Sequence, residues 1–383
     1  MIPRTLFSPD HEMFRDSVRK FVEKEIVPFY PQWERDAAIP REVWRKGGAA
    51  GLLLCDAPAE FGGQGGDFLH STIVMEEITR AGAMGVFFSL HSDIVAPYIV
   101  KYGTPAQKQT WLPRMASGDA IGAIAMTEPS AGSDLQAIRT TAIRDGDDYV
   151  ITGQKVFISN GQTADVVIVA CKTDPAAGAK GMSLVLVEGD RPGFRRGRQL
   201  KKIGLHSQDT SELFFDAVRV PATNILQAEG RGFAMLMSEL AQERLTQAIR
   251  AVTASEAALD WTVAYVQDRK AFGKPISAFQ NTQFVLAALK AEIVAQRVFV
   301  DRCIELHLKR EFDAVDAAMA KLLTTELQAR VVDECLQLHG GYGYMTEYPI
   351  GRAWADARYA RIAGGSIEVM KTIIGRSLFG RNA

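Results

Sequence analysis

The chain has 383 residues, of which 47% are hydrophobic and 23% charged, with 44 Lys+Arg against 45 Asp+Glu. That length supports two or three folding units with substantial cores, and the composition is ordinary for a soluble globular protein. A formal charge of −1 excludes the broad electrostatic attraction to nucleic acid or anionic membrane that a strongly basic chain would have.

The N-terminus, MIPRTLFSPDHEMFRDSV, has no apolar h-region and carries acid early, at Asp10 and Glu12, so it reads as neither a secretory signal nor a good transit peptide. No apolar run approaches the roughly 18 residues that cross a bilayer, so no membrane insertion is expected. Helical spacing of apolar residues predicts helices over 10–24, 41–50, 71–81 and 105–116. Between them, EFGGQGGD (60–67) is glycine-dense, yet no strand precedes it and no βαβ pattern follows. It reads as a tight loop and not as a nucleotide fingerprint.

Near Ile121 the texture changes to short β-type runs, YVITG, KVFISN, DVVIVAC, MSLVLVE and ELFFDAVRVP, separated by turns. They predict a small antiparallel barrel or sandwich. Basic clusters there, Arg195-Arg196-Gly197-Arg198 and Lys201-Lys202, are short enough to be solvated strand or loop. After Gly232 the chain is helical again, with stretches at 232–268, 279–308, 313–339 and 366–379 that should pack as a bundle. The expected organisation is therefore mainly α with a central β domain: an N-terminal helical domain (1–120), a middle β domain (121–231) and a C-terminal four-helix bundle (232–383). Cys55, Cys171, Cys303 and Cys335 are far apart, which argues against a zinc site or a disulfide scaffold. No metal is expected. The thiols suit a reducing compartment, so the cytoplasm is expected, or a mitochondrial matrix if a presequence has been removed.

One charge does not fit its helix. On a wheel of about 100° per residue starting at Phe233, the residues Leu236, Met237, Leu240, Ala248 and Ala251 define an apolar stripe. Arg244 falls at about 20°, inside that stripe, and Glu243 at about 80°, on its edge. Glu239 lies on the polar side. A buried Arg must be paired or must serve a ligand. It could bridge to an acid on another helix, or this face could line a pocket for an anionic or carbonyl ligand.

Two further regions could approach a cofactor. The loop Met126-Thr127-Glu128-Pro129-Ser130-Ala131-Gly132-Ser133-Asp134 follows an apolar strand and offers hydroxyls and free N–H groups, though Glu128 reads as structural. The segments RKAFGK (269–274) and QLHGGYG (337–343) are glycine-containing helix stops, where Arg269 could pair a phosphate and Gly340-Gly341 could admit a pyrophosphate. His91 and His339 read as packed histidines.

Taken in order, AMTEPSAGSDL, KVFISNG, GLHSQDTSELFFDAVRVP, QERL, DRKAFGKPISAFQ, QLHGGYGYMTEYPIGRAWADAR and GGSIEVMKTIIGR resemble the acyl-CoA dehydrogenase family along the whole chain. The resemblance implies FAD bound without a Rossmann fold and a homotetramer in which a neighbouring subunit completes each FAD site. By motif, Met126, Thr127, Gly132, Ser133, Phe157 and Ser159 match the β-domain contacts to the flavin. Arg269, Phe272, Gln280, Gln337 and Gly341 match the contacts to the ADP half from the neighbouring subunit. Ser366 and Glu368 match the terminal FAD-contacting motif.

The chain departs from the common pattern at Gly364, where most members carry the catalytic Glu. A glycine cannot abstract a proton. The long-chain and isovaleryl types place the base on the first helix of the bundle, and the matching residue here is Glu243. The strings FSLHSDIV, QERL and FGKPISAFQ also resemble the long-chain type. The resemblance implies that Glu243 removes the α-proton of an acyl-CoA thioester while the β-hydrogen leaves as hydride to flavin N5. Hydrogen bonds from a ribityl hydroxyl and from the N–H at Gly364 would stabilise the developing enolate. Ser133, Arg244 and Gly364 are the expected substrate contacts, and electron-transferring flavoprotein the expected acceptor. Ala363, where an aromatic is usual, suggests room for a branched or bulky acyl group. The alternatives are an acyl-CoA oxidase on the same fold and a non-catalytic FAD-binding assembly factor.

Overall fold

A computed structural model describes residues 2–379. The first third holds α1 (Pro9–Phe21), α2 (Tyr30–Asp36), α3 (Arg41–Ala49), α4 (Phe68–Arg80), α5 (Ala96–Tyr102) and α6 (Pro105–Ala116). Three of these helices start at capping boxes, Ser8 with His11, Asp67 with His70 and Thr104 with Gln107, in which each side chain satisfies an otherwise orphaned backbone donor. The four expected helices are present, and 60–67 is a short 3₁₀ turn followed by loop. The structure adds α2 and α5. A π-helical turn, Leu90–Val95, leads into α5, and the whole stretch is buried on nearly every side, so no 3.6-residue alternation marks it in the sequence.

The middle region holds β1 (Gly122–Ala125), β2 (Thr141–Asp145), β3 (Asp148–Ser159), β4 (Val166–Lys172), β5 (Met182–Glu188), β6 (Phe194–Gln199) and β7 (Thr210–Pro221). They form one sheet in the order β1-β4-β2-β3-β7-β6, with β5 on β4. The expectation of a wholly antiparallel assembly is corrected here: β1 runs parallel to β4, with Gly122 opposite Val166, and β2 meets β4 in parallel at Thr141. A parallel pair needs a long crossover, and the segment carrying the β2–β3 hairpin supplies it. A register break between Lys155 and Ile158 leaves Phe157 at φ 61° with two-thirds of its surface exposed.

The last third comprises α7 (Gly232–Asp268), the short hairpin β8 (Lys270–Ala271) and β9 (Lys274–Pro275), α8 (Gln280–Leu308), α9 (Ala314–His339), α10 (Pro349–Ala357) and α11 (Ile367–Phe379). The four expected helices start and end within a residue or so of their predicted limits, and α10 is additional. Helix α7 joins the two helical regions. Its Leu245, Ala248, Ile249 and Val252 share a core with Phe68, Leu69 and Met75 of α4 and with Val300, Cys303 and Ile304 of α8. With neighbours on several sides, α7 has no single stripe, and the wheel misplaces two residues. Met237, put in the stripe, is 40% exposed, whereas Glu239, put on the polar side, is only 2% exposed.

Candidate active site

Glu243 sits about a third of the way along α7 and is almost fully buried. Its Oε1 accepts a hydrogen bond from the Tyr98 hydroxyl of α5 at 3.0 Å. Burial raises its pKa to about 7; Glu239 adds to the rise, while the Tyr98 hydrogen bond and Arg244 oppose it. A carboxyl poised near neutrality is what proton transfer at physiological pH requires. Glu239, one turn earlier, is held by Lys101 Nζ at 2.6 Å and the Tyr102 hydroxyl at 2.7 Å, which fixes it in a structural role.

Arg244 is as buried as Glu243, and among the described residues it forms no ion pair with an acid on another helix. Its Nε donates to the carbonyl oxygen of Gly364 at 3.4 Å. The bridge left open by the sequence is therefore replaced by a contact to backbone in the turn before α11. Gly364 has φ 67°, and a Cβ added there would find only Gln247 Cγ, at 3.8 Å. Space for a side chain thus remains beside Gln247 and Arg244. Arg244 and Gly364 meet from two distant parts of the chain, with Glu243 the residue before Arg244 on α7. Ser133 lies instead on the exposed β-domain loop.

The residues expected to hold a cofactor form separate groups. Lys155 Nζ donates to the Met126 carbonyl and Val156 N–H to that of Thr127, so this loop is stitched to the bulge that exposes Phe157. Gly132 lies in the same loop, and a Cβ built on it would meet nothing within 4 Å. Ser159 ends β3 opposite Thr210. Arg269 and Gln337 border a cavity of about 510 Å³ with Tyr265, Gly340 and Gly341, and both glycines have open backbone. Phe272, at the tip of the β8–β9 hairpin, is 95% exposed, and Gln280 opens α8. Ser366 Oγ accepts from Val369 N–H at the start of α11, and Glu368 is exposed in its first turn. Approachable glycine backbone, a guanidinium and uncovered aromatic rings fit a flat, phosphate-bearing cofactor such as FAD. Glu128, by contrast, is buried against Lys155 and two backbone N–H groups, and is structural.

Tyr98 and Lys321 also belong to these surroundings, and neither is among the residues singled out from the sequence. The i,i+4 pair Tyr98 and Tyr102 faces Glu243 and Glu239, a pattern visible in APYIVKY once the helix is known. Lys321, the one Lys in the run AAMAKLL, was the stronger signal, because a lone cation in an apolar helical stretch needs a reason. His91 and His339 are packed residues: His91 bonds to the Met115 carbonyl and the Gly122 N–H, and His339 stacks on Tyr265.

Models of the acyl-CoA dehydrogenase N-terminal, middle and C-terminal domains match residues 8–119, 123–218 and 230–379. The chain is 50% identical to the long-chain specific acyl-CoA dehydrogenase, mitochondrial, of Sus scrofa, over 98% of this chain and 88% of that protein. It is similar to the crystal structure of an acyl-CoA dehydrogenase from Geobacillus kaustophilus, with a TM-score of 0.97 and 50% identity, covering 98% of this chain and 100% of that one. A glutaryl-CoA dehydrogenase from Mycobacterium smegmatis in complex with FADH2 aligns with a TM-score of 0.91 at 30% identity, over 99% and 96% of the two chains.

Proposed function

Because the chain belongs to the acyl-CoA dehydrogenase family, we propose that Glu243 is its catalytic base and a long-chain acyl-CoA its substrate. The enzyme oxidises the Cα–Cβ bond of an acyl-CoA thioester to the trans-2-enoyl product. The observation that carries the assignment is a buried carboxyl whose pKa is raised to about 7, in a chain whose Gly364 has no side chain to act as base. Bound FAD supplies the hydride acceptor. Glu243 takes the α-proton at its carboxylate, and Tyr98 holds that carboxylate in place. The turn at Gly364 presents backbone N–H to the thioester oxygen. Arg244 carries positive charge toward the same turn. A 50%-identical relative named for long-chain substrates supports the chain length.

FAD would be held by Met126, Thr127, Gly132, Ser133, Phe157 and Ser159, and by Ser366 and Glu368. Arg269, Phe272, Gln280, Gln337 and Gly341 would reach it from a neighbouring subunit of a homotetramer. Exposed Phe272, Phe284 and Tyr344 support such covering. The same reading divides the chain at 120/121 and 231/232 and gives electron-transferring flavoprotein as electron acceptor. Four free, buried thiols support a reducing compartment, the cytoplasm or a mitochondrial matrix. Neither the oxidase nor the assembly-factor reading gains support from relatives that are dehydrogenases by name.

Anaerobic stopped-flow mixing with acyl-CoAs of graded length tests the reading. The wild type should bleach its flavin fastest with long chains. Glu243→Gln should keep FAD, bind acyl-CoA and reduce at least ~100-fold more slowly. Near-normal reduction by that variant would move the base elsewhere.

A further inference from the structure

Lys321 of α9 has no exposed surface. Among the described residues it has no carboxylate partner, and its Nζ donates to the carbonyl oxygen of Gly365 at 2.6 Å. Arg244 holds the preceding carbonyl, that of Gly364. Two buried cations thus grip two successive carbonyl oxygens of one turn. Core stability does not account for this, because an ammonium buried without a counter-charge is costlier than a methionine of similar length. Burial and the nearby Arg244 and Arg361 lower the pKa of Lys321 to about 8, against an opposing pull from Glu368.

The turn itself explains what the grip does. Gly364 and Gly365 have φ 67° and 100°, conformations that favour glycine. A peptide group is planar with its oxygen opposite its N–H. Fixing the Gly364 oxygen therefore fixes the direction of the Gly365 N–H, and fixing the Gly365 oxygen fixes that of Ser366. Among the described residues, the N–H groups of Gly364, Gly365 and Ser366 donate to no protein acceptor. Successive free N–H groups on left-handed backbone make a concavity for a negatively charged oxygen.

We propose that Lys321 is a positioning residue for the thioester oxygen: its ammonium, gripping the Gly365 carbonyl beside the Arg244–Gly364 contact, holds the free N–H groups of the turn in line with the developing enolate. This rests on the reading of Glu243 and Gly364 as the reaction site. Glycine at both positions leaves the turn without side chains to brace it, and the two cations supply that rigidity from neighbouring helices.

The test compares FAD-loaded Lys321→Met with wild type and with Glu243→Gln, using a long-chain acyl-CoA. Flavin reduction should slow ~10- to 100-fold, the scale on which a slightly misplaced group acts. Affinity for acyl-CoA should change less than ~3-fold, because the grip matters in the transition state more than in the ground state. The infrared carbonyl stretch of bound thioester should move back toward its frequency in water. A normal rate, or a slow one with an unshifted carbonyl band, overturns the proposal when Glu243→Gln is slow. If Glu243→Gln also reduces normally, the site reading itself falls, and the proposal with it. Should Lys321→Met fail to fold, Lys321→Gln is judged by the same rate and band.

Discussion

The Glu243→Gln protein, measured by unfolding instead of turnover, isolates what a buried carboxyl titrating near neutrality costs the fold. In the unfolded chain this carboxyl titrates near 4.5, and burial moves it to about 7 in the folded protein. Below the lower value both states keep the proton and the cost is absent. Between the two values the unfolded chain releases its proton while the folded one retains it, so stability falls as pH rises. Above the upper value the loss is complete, and at about 1.4 kcal/mol per unit it reaches about 3 kcal/mol. An amide removes this cost and keeps an oxygen for the Tyr98 hydroxyl, now at 3.0 Å from Oε1. Urea unfolding of the FAD-loaded proteins at about pH 4 and about pH 8.5 should show near-equal stability at the first pH and a more stable variant at the second, by up to ~3 kcal/mol. A stability difference that does not grow with pH would refute the reasoning, because Glu243 would then be ionised as easily folded as unfolded.

Tyr98→Phe removes a hydrogen bond that lowers the Glu243 pKa, so the acid limb of the flavin-reduction pH profile should move to higher pH; an unmoved limb would deny Tyr98 that role. A carboxylate moved to the other position should work in part: in the double variant Glu243→Gln, Gly364→Glu, stopped-flow reduction should recover ~10-fold over Glu243→Gln alone. The added Cβ has room, although φ 67° charges about 1 kcal/mol to a non-glycine residue there. Glu76 is fully buried among Arg4, Arg15 and Arg297 at 2.9, 2.8 and 3.0 Å, and although burial opposes it, the three guanidinium groups hold its pKa near 2. Glu76→Gln should lose ~3–5 kcal/mol in urea unfolding at neutral pH. The wild-type contribution is present above the unfolded value and lost as pH falls toward 2, so the variant's deficit should shrink in acid.

Most helix limits and the strand positions were legible in the sequence because apolar spacing marks the helices and β-branched runs mark the strands, although α4 begins just after its Asp67 cap, three residues before the expected start. The seven ordered motifs carried the family, and the missing side chain at 364 directed attention to Glu243. What lay outside the sequence was whatever depends on several elements meeting at once. The buried stripe of α7 could not be drawn because neighbours cover it from several sides, which is why Glu239 was misjudged. The parallel pairing of β1 with β4 depends on a crossover, not on either strand's residues. Tyr98 and Lys321 reach the site from α5 and α9, far from Glu243 in the chain. The sequence by itself, through the family resemblance and the glycine at 364, pointed to Glu243 on this helix as the proposed base. Only the tertiary structure decided its pKa and its partners, because burial and hydrogen bonding are properties of the packed surroundings and not of the residue.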